Sequence, residues 1–278
     1  MADYIVVSFS GGKDSTAMLL RMIELGEHID EVICCDTYKE FPAMYRHIER
    51  VKKVVEAAGI KFTVLRADKS FDYYMFEYNP KRKNKKFQDS PGYGWAFPVM
   101  RWCTVNLKQK VINQYFKSIS SKYRLIECIG IAADEQFRIE RAKNIKDTHR
   151  HPLIEWGWDE KTCLQYCYDH GYDWEGLYQY FSRVSCWCCP LKSLPDSRNL
   201  WRHFPELWEE LEEMDRKAWN QFHRRYSVQD LEKRFEFEDA LTERGLPITD
   251  RAFHADLKRL LEGETTLDEI LEERKNAE

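Results

Sequence analysis

The run "SFSGGKDST", Ser8 to Thr16, crowds two glycines, a lysine, an acid and several hydroxyls into nine residues. Gly11 and Gly12 let the backbone turn tightly and let a ligand approach the main chain. Free N–H groups there, the Lys13 charge and the hydroxyls of Ser10, Ser15 and Thr16 make an anion cradle suited to phosphate. The spacing is not that of a Walker A loop. Asp14 follows Lys13 where that motif needs a hydroxyl, and no glycine stands at the required upstream position. The dinucleotide pattern G-x-G-x-x-G is also absent.

A second chemistry lies in the cysteines. Of nine, Cys34, Cys35 and Cys128 fall inside strand-like runs, where a thiol packs as a small hydrophobe. Cys163 and Cys167 stand four apart on a helical stretch and also read as packing. The remaining four, Cys103 and the "CWCC" set of Cys186, Cys188 and Cys189, form two separated segments that could close a four-thiolate site. An iron–sulfur cluster and zinc both suit soft thiolates. Free thiols are the alternative: a thiolate beside Arg101 or Arg183 would have a lowered pKa and could carry sulfur as a persulfide.

The elements that must position these residues alternate. "YIVV" before the cradle reads as a buried strand, and "DSTAMLLRMIELG" after it as a helix ending at Gly26. "EVICCDT" (31–37), "KFTVLRA" (61–67) and "RLIECIGI" (124–131) read as further strands. A helix is expected over 41–59, with Pro42 in its first turn and Gly59 at its end, and another near 104–118. Alternation of this kind predicts an α/β fold: a doubly wound, mostly parallel sheet of about five strands with helices on both faces. Ligands in such folds bind beyond the carboxyl ends of the strands, where the cradle, Asp36–Thr37 and Gly130–Asp134 all fall. The expected division is a nucleotide-binding core over 1–155, a cysteine-containing arm over 156–196 and a helical C-terminal extension over 197–278.

The chain of 278 residues is 43% hydrophobic, enough for a substantial core. Its net charge of −4 argues against generic nucleic-acid coating. "MADYIVV" enters the first strand at once, and no apolar run reaches membrane-span length, so a cytosolic setting is expected. "NPKRKNKKFQ" followed by "DSPGYGWAFP" reads as a long flexible loop over the site. Its cations at 81–86 would suit a nucleic-acid substrate, but a solvated charged loop is the preferred reading.

Beyond these residues, "SGGKDS" resembles the PP-loop of the ATP pyrophosphatases, which break ATP between its α and β phosphates. "CCDTYKEFPAMY", "RWCTVNLKQK", "GIAADEQFRIER", "HPLIEW" and "LYQYFSRVSCWCCP" resemble, in order over residues 4 to 190, the phosphoadenosine phosphosulfate reductase-like branch. The resemblance implies an adenine nucleotide alpha hydrolase-like fold and ATP with Mg²⁺ as cofactor. It implies nucleotide contacts from Ser8, Ser10, Gly11, Gly12, Lys13, Asp14, Ser15, Asp36, Thr37, Gly130 and Asp134. Lys13, Asp14, Arg101 and Lys108 are the catalytic candidates, and Arg138 and Arg141 further anion contacts. Sulfonucleotide reductases carry a nucleophilic cysteine near their C-terminus, whereas no cysteine follows Cys189. Ala132 and Ala133 stand where those relatives tend to have arginines. The chain therefore looks closer to thiolation-type members, including those of DNA phosphorothioate modification, with a sulfur-donor protein as an expected partner.

Overall fold

The computed structural model describes residues 1–275 except 136, 137, 139 and 141–147. Five strands, β1 (Asp3–Ser8), β2 (Glu31–Cys35), β3 (Lys61–Leu65), β4 (Arg124–Ile129) and β5 (His149–Arg150), pair in the order β3-β2-β1-β4-β5. Every pairing is parallel, with Val7 opposite both Val32 and Cys128. The β-branched runs at the centre explain the sheet: their side chains pack well on a pleated surface buried on both sides.

Side chains alternate across that sheet. Val7, Val32 and Cys128 face helices α1 (Lys13–Glu24) and α2 (Pro42–Ala57). Val6, Ile33 and Leu65 face Ile112, Tyr115 and Phe116 of α3 (Lys110–Ser120). α2 starts on Pro42, whose missing N–H costs nothing in a first turn, and Gly59 follows its end at φ 75°. The helix expected near 104–118 begins as a π-helical turn, Thr104–Gln109.

Helix α4 (Glu160–Asp169) packs against α1 and buries Cys163 and Cys167 completely, as expected of packing thiols. From Leu194 the chain is mainly helical, in segments Leu194–His203, Pro205–Lys217, Val228–Glu243, Arg251–Leu261 and Leu267–Lys275. Within the extension expected to be helical over 197–278, Pro205 opens a new helix directly after the first, and residues 218–226 are not helical.

"DSPGYGWAFP" is not a loose loop. Trp95 is 1% exposed, and its indole N–H donates to Asp215 at 2.7 Å. Asn220 also closes on it: its side-chain oxygen accepts from the Trp95 N–H at 2.7 Å, and its amide donates to the Trp95 carbonyl at 3.0 Å. The stretch is the seam between the sheet domain and the C-terminal helices. Among the described residues no helix is long and apolar enough to cross a membrane.

Candidate nucleotide and thiol site

The strand order reverses between β1 and β4, so a crevice opens beyond their carboxyl ends. The glycine-rich run fills its floor. Gly11 sits at φ 80°, and a Cβ there would lie 2.7 Å from the Met44 sulfur, so only glycine fits. Gly12 caps α1 in extended conformation, and its carbonyl receives the first helical bond from the Thr16 N–H. Gly130, at the end of β4, approaches so closely that a Cβ would stand 3.0 Å from the Ser15 nitrogen. Its role is to let β4 touch the first turn of α1.

The cradle hydroxyls are set by mutual bonds. Ser10 Oγ and Ser15 Oγ are 3.1 Å apart, the Ser10 N–H donates to Ser15 Oγ, and Ser15 Oγ reaches the Gly12 carbonyl. Thr16 points away, to His47 Nε2 at 3.0 Å. Burial pushes the His47 pKa down to about 4, so that ring is neutral.

Lys13 is almost buried, with its ammonium 2.6 Å from Glu160 Oε2 and 3.4 Å from the Asp14 carboxylate. Burial alone would lower its pKa, but the two carboxylates outweigh it and the net direction is upward. Burial raises the Asp14 carboxyl to about 6 against the opposing pull of Lys13, and Glu160 adds to the rise. Asp14 Oδ1 is buried with no hydrogen bond.

Other expected contacts are spent differently. Ser8 donates to Glu127 Oε1 at 2.5 Å, because strand alternation turns it to the α3 face. Asp36 accepts from the Tyr38 N–H, the Tyr45 hydroxyl and Arg66, and so braces the loop after β2. Asp134 accepts the Glu160 N–H at 3.1 Å and ties the β4 loop to α4. Arg138 pairs with Glu135 on the surface, Arg101 is exposed, and Arg141 lies outside the described residues.

A second wall of the crevice is lined with thiols. Thr37 Oγ1 lies 3.3 Å from Cys186 Sγ and donates to Glu40 at 2.7 Å, while Cys186 Sγ is 3.6 Å from the same carboxylate oxygen. Cys188 lies within electrostatic reach of Cys186, Cys189 and Cys103, and Cys103 within reach of Cys189. Burial raises the pKa values of Cys103, Cys186 and Cys188, which keeps them neutral thiols. Three lysines surround the set. Lys108 loses proton affinity to burial but regains more from Glu40 and the thiols. Lys39 is fixed by Asp72 and Glu210, and burial lowers the pKa of Lys192, whose ammonium lies over Phe181. The soft donors suit a metal centre in kind, yet among the described residues no three His, Cys, Asp or Glu are arranged to hold a metal ion.

A family model for the phosphoadenosine phosphosulfate reductase domain matches residues 4–192, which include both walls of this crevice. The chain belongs to that family. It is 27% identical over 231 residues to an uncharacterized protein of Methanocaldococcus jannaschii, covering 77% of this chain and 42% of that one. The chain thus spans less than half of that relative's length. A phosphoadenylyl-sulfate reductase from Candida auris, solved as a phosphate complex, aligns at 14% identity with a TM-score of 0.41, covering 66% of this chain and 81% of that one.

Within the family domain, three site residues carried no sequence signal of their own: Glu160, Trp174 and Tyr178. Trp174 donates its indole N–H to the Gly11 carbonyl at 2.7 Å, and Tyr178 Oη accepts the Lys13 N–H at 2.8 Å. Both come from more than 160 residues downstream, so spacing could not reveal them. "LYQYF" contains Tyr178, and its place in the family segment was the available hint. The basic loop divides in two. Arg82 is structural, donating to the carbonyls of Ser90 and Gly92 and lying over Trp219, whereas Lys81, Lys83, Lys85 and Lys86 are exposed.

Proposed function

We propose that the chain is an ATP-dependent enzyme of the pyrophosphatase type, which activates an acceptor for sulfur transfer. The carrying observation is the strand–"SGGKDS"–helix joint, with Gly11 in left-handed geometry and the buried Lys13 ammonium beside the first turn of α1. Such a joint directs N–H groups and the positive helix end at a phosphate chain. In this reading Ser10, Gly12 and Ser15 hold the β and γ phosphates, and Lys13 leaves Glu160 to neutralise them. An acceptor oxygen attacks the α phosphorus, the bond from that phosphorus to the bridging oxygen breaks, and pyrophosphate departs with the electron pair. Arg101 and Lys108 stand ready for the acceptor or the leaving anion. Asp14 is the residue that would hold Mg²⁺, whose charge would assist departure.

The thiol wall supports the sulfur part of the reading. Glu40 accepts the hydrogen bond of the Cys186 thiol, and Lys108 and Lys192 bring positive charge close to that sulfur. Cys103, Cys186, Cys188 and Cys189 would supply the thiolates of an iron–sulfur cluster or of zinc, whose contribution there would be to neutralise their gathered charge. Incubation with ATP and Mg²⁺, with phosphorus NMR of the products, tests the reaction: AMP and pyrophosphate support it, ADP and orthophosphate overturn it.

A second reading has one observation in its favour, the Cys186 thiol with its acceptor carboxylate beside Thr37, which follows the carboxyl end of β2. It is reduction of a sulfonucleotide. Sulfite release from such a substrate under a dithiol reductant, with no pyrophosphate made from ATP, would select it.

A further inference from the structure

We infer that Tyr178 is a phosphate-binding residue, its phenol O–H forming the side wall of the anion cradle. The inference rests on the nucleotide reading above and extends it to a residue outside the glycine-rich run. Tyr178 Oη accepts the N–H of Lys13, the first residue of α1, at 2.8 Å. In an ordinary cradle that N–H would point at the ligand. Here a hydroxyl takes it, and among the described residues the hydroxyl's own hydrogen has no acceptor. A hydroxyl that accepts a hydrogen bond from a helix N-terminus becomes a stronger donor. The phenol therefore passes the pull of the helix end outward by one oxygen.

The oxygen also faces the right way. A Cβ built on Gly12 would be 3.6 Å from Tyr178 Oη and 3.6 Å from Ser10 Oγ, so both hydroxyls border the same face of Gly12. Gly12 has no φ that demands glycine; the open face beside the two hydroxyls is what a side chain would fill. The phenol is held there rigidly. Its ring meets the Trp174 ring edge-on at 4.8 Å, Trp174 lies tilted against His47 at 4.6 Å, and the Trp174 indole is bonded to Gly11. The turn carrying the pair has three successive left-handed residues, Trp174 (φ 51°), Glu175 (φ 54°) and Gly176 (φ 82°). A left-handed tryptophan is strained, and such strain persists where surrounding contacts over-determine it, commonly at ligand clamps. Burial raises the phenol pKa, so the group stays a neutral donor across the physiological range.

The test is calorimetric titration of wild type and Tyr178→Phe with Mg-ATP, with pyrophosphate and with adenosine. The phenylalanine ring keeps the contact with Trp174, and melting temperatures of both proteins confirm an intact fold. A phosphate donor predicts roughly ten- to hundredfold weaker binding of ATP and pyrophosphate, the worth of one hydrogen bond to a charged group, with adenosine unchanged. Equal ATP affinity in the two proteins overturns the inference and leaves the nucleotide reading standing. Equal losses for ATP and adenosine overturn it in favour of a purely structural clamp, and tighter ATP binding in the variant overturns it in favour of a plug. Wild type that binds neither ATP nor pyrophosphate overturns the nucleotide reading itself, and this inference with it.

Discussion

Glu160, at the start of α4, holds the Lys13 ammonium at 2.6 Å, across 147 residues of chain. The same lysine would be required by a bound triphosphate, so carboxylate and nucleotide compete for one cation. Glu160 is half exposed, which makes the contact breakable at modest cost. Glu160→Gln should therefore tighten Mg-ATP binding by roughly two- to fivefold, the scale of a partly exposed ion pair. Weaker binding in calorimetry would instead assign Glu160 to positioning Lys13 for the phosphates.

Asp14 gives a pH signature. Its carboxyl is raised from 3.8 to about 6, chiefly by burial. Between these values the folded protein binds more protons than the unfolded chain, so this group makes stability fall as pH rises from about 4 through about 6. At neutral pH the ionised form is a liability of about 1–3 kcal/mol. Asp14→Asn should raise the melting temperature at pH 7, and the gain should vanish below pH 4. A constant gain at every pH would show that the charge is not responsible.

The two glycines should separate fold from binding. Gly11→Ala meets both a left-handed backbone and the Met44 sulfur, and should lower unfolding free energy by about 1–3 kcal/mol. Gly12→Val meets only ordinary contact distances, so the fold should survive while ATP binding is lost. Urea titration and calorimetry on the pair check this; retained ATP affinity in Gly12→Val would remove the cradle from that face.

For the thiols, which burial holds neutral in the absence of a cation, metal loading would deprotonate them, and Cys186→Ser should then lower both bound metal and melting temperature in anaerobically purified protein. Elemental analysis and a visible spectrum distinguish iron from zinc. Wild type containing neither metal would reduce the four cysteines to redox or packing thiols.

Much of this architecture was legible in the chain. The four longer strands announced themselves as β-branched runs, and the cradle lay at the joint where such folds bind ligands. β5 was hidden because it is two residues, too short for any period, and exists through its pairing with β4. The Ser8 bond to Glu127 was not legible, because membership of a motif says nothing about which face of a strand a side chain takes. Asp36 looked free because its partners Tyr45 and Arg66 come from other elements. "DSPGYGWAFP" read as loop from its glycines and prolines, although Trp95 is held by Asp215 and Asn220, and Gly94 lies against Trp219 and Asn220. The Tyr178–Trp174 clamp was out of reach for the same reason: its contacts exist only once the arm folds back.

The C-terminal helices do not share one fate. Residues up to Phe235 belong to the same continuous apolar cluster as the sheet, and Asp215 binds Trp95, Phe222 and Val228 at once. Phe237, Leu241, Phe253, Leu257, Ile270 and Leu271 form a separate small cluster among the last three helices. The boundary between the two cooperative units thus runs through the middle of helix Val228–Glu243, not through a linker. Native-state hydrogen exchange should divide there, with amides beyond about residue 240 opening at lower free energy than those of Pro205–Lys217. A protease would then trim the chain from its end while the nucleotide crevice stays whole.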